Sequence, residues 1–253
     1  LRLGRATPIM LAVGVATVLT CLIRKKDLAS LGWGWGSWRY QWLSYMLPLI
    51  IALLAYLLIW AAGFGGWFDA AFVEEQKAEY NLGAWSNAAI IVFHLLMTAT
   101  FSFVLALPGV LGEEMGWRGF LVPELARFMS FTGVALVSGL IWSTWHLPLF
   151  LMGLYGADGT PMYYQLFFFT LLLVSNSMTM TYLRFKTNSL WTAVIFHASA
   201  NVFLQKFFTP MTQTNEHSAW YVDEFGAIPA LAALAVGVYF WRKGTAEFGR
   251  TRW

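Results

Sequence analysis

Seven runs of mainly apolar residues constrain this chain before any other feature does: Thr7–Ile23, Trp42–Ala62, Asn87–Leu107, Thr132–Leu151, Met162–Leu183, Leu190–Phe208 and Gly226–Trp241. A helix crosses the hydrocarbon of a bilayer with about 20 such residues, so each run predicts a membrane helix. Composition agrees. Of 253 residues, 58% are hydrophobic and 11% charged, where a soluble domain carries about 25% charged residues. Trp33, Trp35, Trp38, Trp67, Trp85 and Trp241 flank the runs, at the headgroup level that aromatic rings favour. The run beginning at Thr7 follows Arg2 and Arg5 as a signal peptide would, but it ends in Arg24-Lys25-Lys26 rather than a small-residue cleavage site. It reads as a first membrane helix. The single cysteine, Cys21, excludes an intrachain disulfide and a Cys-based zinc site.

An eighth segment, Pro108–Phe128, is long enough for a helix but carries Glu113, Glu114, Arg118, Glu124 and Arg127. The expected fold is therefore all-α: a polytopic membrane bundle of about eight helices. It forms one domain over 1–253, with a motif-bearing core at about 87–208.

The loops alternate in charge. Arg24–Arg39, Arg184–Ser189 and the C-terminal tail are basic, whereas Gly63–Ser86 and Thr209–Phe225 are acidic and Tyr155–Pro161 holds only Asp158. Basic loops stay on the cytoplasmic side, which puts the acidic loops outside. Two crossings between Gly63–Ser86 and Tyr155–Pro161 then suffice, and Pro108–Phe128 is expected as a partial or tilted insertion near the cytoplasmic side. Arg2 and Arg5 run against this orientation. The net charge of +3 is spread over these loops and forms no nucleic-acid footprint.

Ionisable groups at bilayer depth are costly and mark functional sites by default. On a helix, Glu114 and Arg118 pair at i, i+4, while Glu113 lies about 100° around the axis and points elsewhere. A carboxylate beside such a pair suits a general base; charges facing lipid headgroups are the plain alternative. Gly112, Gly116 and Gly119 permit close approach of another helix. Trp142-Ser-Thr-Trp-His146 puts a histidine in an apolar helix two positions before Pro148, and His197-Ala-Ser-Ala-Asn201 sets a histidine and an amide on one helix face. Each piece also reads as a structural contact. Together they make a carboxylate, two histidines and an amide on three helices, a workable hydrolytic set.

These pieces resemble a family. Glu113-Glu114-Met-Gly-Trp-Arg118 fits a Glu-Glu-x-x-x-Arg signature, Trp142-x-x-x-His146 resembles Phe-x-x-x-His, and His197-x-x-x-Asn201 fits the third motif. In order and spacing the chain resembles the CAAX protease and bacteriocin-processing family of intramembrane proteases, which includes the type II CAAX prenyl endopeptidases. Trp142 departs from the family's Phe and is expected to affect packing rather than chemistry. The resemblance implies an endopeptidase acting on a membrane-associated, prenylated or leader peptide. By position, Glu113 and His146 activate water, His197 and Asn201 stabilise the oxyanion, and Glu114 and Arg118 orient the site. A zinc version makes Glu113, His146 and His197 metal ligands; the metal-free version is favoured because Asn201 is a poor zinc ligand and a good amide donor. The implied partners are a peptide or protein substrate and the bilayer, with no nucleic acid. The implied location is the cell (inner) membrane, multi-pass, with the site toward the cytoplasmic leaflet. The alternative is a non-catalytic scaffold or bacteriocin-immunity protein of the same fold. An ion-coupled transporter is disfavoured, because the chain lacks the inverted repeats common in such folds. His94 is expected to be structural, Asn176 with its neighbouring Ser and Thr to join helices, and His217 to be solvated.

Overall fold

The computed structural model describes residues 3–249, and eight helices carry these described residues. In order they are α1 Leu3–Ile23, α2 Trp38–Ala61, α3 Ala70–Glu79, α4 Asn87–Ala126, α5 Phe131–Leu151, α6 Met162–Thr187, α7 over 191–211 and α8 Ala227–Phe248. No strand occurs among the described residues, only an isolated bridge between Gly66 and Gln213. The expected all-α bundle is what forms. Four helices, α2, α4, α5 and α6, are long and apolar enough to cross a membrane. Arg2, Arg250 and Arg252, which entered the charge pattern, lie outside the described residues.

Local chemistry sets the helix ends. The Asp69 carboxylate accepts from the Phe72 N–H at 2.8 Å and starts α3, and Ser130 accepts from the Gly133 N–H at 3.3 Å to start α5. Such caps satisfy amide groups that have no partner within the helix. Asn188 closes α6 in the left-handed conformation, φ 51°, with its N–H on the Arg184 carbonyl.

Two expectations are corrected. Gly63–Ser86 is not all loop, since the ten-residue α3 lies within it. More important, Asn87–Leu107 and Pro108–Phe128 are not two helices. They are one continuous helix of 40 residues, interrupted only by wider π turns at Thr98–Ser102 and Met115–Leu121. Pro108 costs one backbone hydrogen bond, but a turn in apolar surroundings would orphan several, so the helix runs through it. No separate partial insertion is needed.

The loops sort to two ends of the bundle as their charges predict. At the basic end Lys26 pairs with Glu124, the Leu190 N–H donates to the Gly32 carbonyl at 2.7 Å, and Lys186 meets Glu247 at 2.7 Å. At the acidic end the Asp69 N–H donates to the Met211 carbonyl at 3.0 Å, Asn215 to the Gly63 carbonyl at 3.0 Å, and Tyr155 to Glu224 at 2.6 Å.

The most enclosed of the four apolar spans is α6, packed between α5 and α8. Small residues let its neighbours approach. A Cβ on Gly139 would sit 2.7 Å from the Val174 Cα, and one on Gly237 would sit 2.7 Å from the Ser175 carbonyl oxygen. Ser138 and Ser177 share a hydrogen bond of 2.8 Å between α5 and α6. Gly14 of α1 and Gly112 of α4 meet the same way, a Cβ on either falling 3.0 Å from the other helix's backbone. His94 is structural as expected: its Nδ1 meets the Tyr80 hydroxyl at 2.8 Å and its Nε2 the Lys206 carbonyl at 2.9 Å. His217 is exposed.

Candidate active site

The charged stretch of α4 turns inward. Glu113, Glu114 and Arg118 are 3%, 0% and 0% exposed, so headgroup-facing charges are excluded for these three. They straddle the point where the α-helical part of α4 gives way to its second π turn. π turns rotate the side-chain register and recur at functional sites.

Glu114 is the hub of the ionic part. One oxygen accepts from Arg118 Nη1 at 3.0 Å and from His197 Nδ1 at 2.9 Å, and the other takes Nη1 at 3.2 Å. The guanidinium lies 4.4 Å from the centre of the Trp142 ring, a cation–π contact that stabilises a desolvated cation. Its Nε and Nη2 have no hydrogen-bond partner. The Arg118 carbonyl accepts from Arg184 Nε at 3.0 Å, which ties this turn to the basic end of the bundle.

Glu113 sits apart from the pair, as its helical position requires. Its Oε2 accepts from the Trp142 indole N–H at 3.1 Å and more weakly from that of Trp117 at 3.4 Å. Among the described residues Oε1 has no hydrogen-bond partner, and the residue lines a cavity. Trp142 thus bonds Glu113 directly. The expectation that it alters packing alone is revised: only an indole has the N–H that reaches Glu113, and Phe has none.

The histidines are held in defined forms. His146 Nδ1 lies 3.0 Å from the Trp142 carbonyl. A carbonyl can only accept, so Nδ1 carries the proton and the neutral ring keeps its Nε2 lone pair free. His197 Nδ1 donates to Glu114 by the same logic.

Glu113, Trp142, His146, His197 and Asn201 all line one cavity of about 360 Å³. Every residue assigned to catalysis from the motifs thus reaches a common space, with Glu114 and Arg118 behind it. The zinc version fares differently. Among the described residues, no three His, Cys, Asp or Glu side chains gather as a metal-ligating group. As placed, Glu113, His146 and His197 are not grouped as a three-ligand zinc site.

The cavity also has walls the motifs did not indicate. Asn176 lines it rather than only joining helices, and Tyr155, Gln205 and Glu224 close its acidic-loop end. Gln205 could have been found, since it continues the i, i+4 series of His197 and Asn201. Glu224 could not, because an acidic loop reads as solvated. Burial and the neighbouring Asp223 charge push its carboxyl up to about 8.

Residues 94–203 match the family model described as type II CAAX prenyl endopeptidase Rce1-like. The segment is Rce1-like. This bears out the resemblance read from the three motifs, all of which fall inside it. The CAAX prenyl protease 2 of Methanococcus maripaludis is 30% identical over 116 residues. That alignment takes in 44% of this chain and 38% of the relative, so the chain spans well under half the length of the protein it matches. Gln205 and Glu224 lie beyond the Rce1-like segment, so their presence at the cavity is known from the fold alone.

Proposed function

We propose that this chain is an intramembrane endopeptidase of the CAAX-protease type. The observation that carries the reading is the convergence of Glu113, His146, His197 and Asn201 on one cavity, with Glu113 Oε1 free of protein hydrogen bonds. Glu113 takes a proton from water, with His146 Nε2 as the second acceptor. The resulting hydroxide attacks the scissile carbonyl carbon. The Asn201 amide N–H donates to the oxyanion, an interaction worth about 3–4 kcal/mol per donor in comparable sites, and the His197 ring faces it from the same helix. Collapse of the intermediate breaks the C–N bond, and the amine leaves with the proton held by Glu113. Glu114 orients the His197 ring through its Nδ1 proton, and Arg118 balances Glu114.

The substrate is a membrane-associated peptide, with a prenylated CAAX tail the first candidate given the relative's name. The bundle crosses the membrane seven times, by α1, α2 and α4 to α8, with α3 at the acidic end. The motif resemblance puts the opening toward the cytoplasmic leaflet. The charge rule applied to the cavity wall argues for the other leaflet, since Tyr155 and Glu224 belong to acidic loops. Labelling of single cysteines at Asp158 and Glu216 by an impermeant thiol reagent, in a Cys21→Ala background of sealed cells, decides between them.

The test of activity is cleavage of farnesylated and unmodified fluorogenic peptides by purified protein, with Glu113→Gln as the control and a chelator arm. Cleavage lost in Glu113→Gln and indifferent to chelator supports the reading. Chelator-sensitive cleavage restored by zinc overturns the metal-free mechanism. A folded protein that cleaves nothing overturns the endopeptidase and favours the scaffold.

A further inference from the structure

The far end of the cavity from Glu114 holds a second polar network that the mechanism above leaves unused. The Tyr155 hydroxyl donates to Glu224 Oε1 at 2.6 Å, and Gln205 Nε2 donates to Glu224 Oε2 at 2.7 Å. The Tyr155 ring lies 5.6 Å from the His146 ring at an interplanar angle of 30°, while Phe169 meets the same imidazole edge-on at 5.1 Å. His146 has a hydrogen bond at Nδ1 only. One bond fixes a ring atom but leaves the plane free to swing about it, so the packed rings must supply the second restraint.

The chain of contacts is closed. His146 stands near the end of α5, Tyr155 on the loop that follows, Glu224 before α8, and Gln205 on α7 two helical steps from His197. At the inner end, Glu113 bonds Trp142 of α5 and Glu114 bonds His197 of α7. At the outer end, Tyr155 and Glu224 link the end of α5 to Gln205 of α7, beside the packing of Phe150 on Phe225. The loop carrying Tyr155 is itself pinned, because Gln165 bonds the Ala157 N–H at 2.9 Å and the Ala157 carbonyl at 2.7 Å.

We propose that Tyr155 and Glu224 are positioning residues for the cleavage reaction: they clamp the His146 ring and hold it at a set distance from the His197–Asn201 face of α7. Neither touches the reacting atoms. The inference rests on the endopeptidase reading for its catalytic meaning, but the restraint on His146 is a property of the fold and can be measured without turnover.

The experiment compares wild type, Tyr155→Phe, Glu224→Ala and Glu224→Gln as full chains in detergent, each checked for folding by thermal melting. Tyr155→Phe keeps the ring and removes its anchor. Glu224→Gln keeps an acceptor for Tyr155, with the Gln205 amide free to reverse, so it is the conservative rescue. The first readout is the rate of carbethoxylation of each histidine, followed by mass spectrometry. Tyr155→Phe and Glu224→Ala raise the rate at His146 several-fold and leave His94 and His197 unchanged; Glu224→Gln stays near wild type. The second readout is peptide cleavage, where the same two variants lower kcat by about 10- to 100-fold, the scale of a misplaced catalytic group, with KM little changed. Unchanged His146 labelling in both variants overturns the proposal, as does a loss carried by KM alone. If wild type cleaves nothing, the endopeptidase reading falls while the labelling still decides the clamp. If Tyr155→Phe does not fold, the Glu224 pair decides it.

Discussion

Removing the charge of Glu114 is the sharpest test of how this bundle tolerates its buried ions. Arg118 is 0% exposed, and its side-chain hydrogen bonds all run from Nη1 to the two oxygens of Glu114 at 3.0 and 3.2 Å. Nε and Nη2 have no hydrogen-bond partner to compensate. Glu114→Gln preserves the shape and leaves the guanidinium enclosed with no counter-charge in contact. Breaking one side of a buried pair costs about 3–5 kcal/mol, against a total of about 5–15 kcal/mol for a typical protein. At roughly 2–4 °C per kcal/mol for a chain of this size, the melting temperature falls by about 6–20 °C. The double variant Glu114→Gln/Arg118→Met removes both charges and recovers most of that loss, because apolar replacement of a buried pair is neutral or stabilising. The assay is built into the chain. Cys21 is the single cysteine and is buried in α1, so a thiol-reactive fluorogenic dye reports unfolding. A single variant melting within about 3 °C of wild type, or a double variant no more stable than the single, would refute the reasoning.

Three further outcomes follow from the geometry. Trp142→Phe keeps a ring under Arg118 and deletes the 3.1 Å donor to Glu113; a bond to a charged group is worth about 1.5–3 kcal/mol, so kcat/KM falls by about 10- to 100-fold, and full activity would return Trp142 to a packing role. Glu224, with its carboxyl pushed from an ordinary 4.5 up to about 8 by burial and then by Asp223, binds its proton more tightly folded than unfolded. Its contribution to stability is therefore complete below about pH 4.5 and is lost as pH rises to about 8; melting temperature declines across that window, and Glu224→Gln flattens the slope. Gly237→Val forces carbon toward the Ser175 backbone oxygen, 2.7 Å from where Cβ would sit; overpacking costs about 1–3 kcal/mol, whereas Gly34→Ala, with nothing within 4 Å, leaves melting unchanged.

The helices were legible because hydrophobic runs of membrane length admit few alternatives, and α1, α2, α5, α6 and α8 formed close to the expected bounds. The division of α4 was misread. Local signals such as Pro108 weigh heavily in water, but apolar surroundings penalise any break in the ladder more. α3 was missed because ten residues of mixed polarity leave no run to see. In the site, the resemblance carried by the three motifs named Glu113, His146, His197 and Asn201, and spacing along one helix placed only His197 and Asn201 on a shared face.

Sequence alone therefore determined an all-helical bundle with Glu113, Glu114 and Arg118 set between apolar runs; that these charges face inward rather than toward headgroups was decided by packing. It also determined the sorting of loops by charge, which needs only their order. Tertiary structure alone decided that an indole donates to Glu113 and that Glu224 closes the far end of the cavity. Those facts depend on atoms 29 and 69 residues apart meeting within hydrogen-bond distance. Periodicity sets the face a residue occupies on its own helix; what stands opposite that face is settled by how the helices pack.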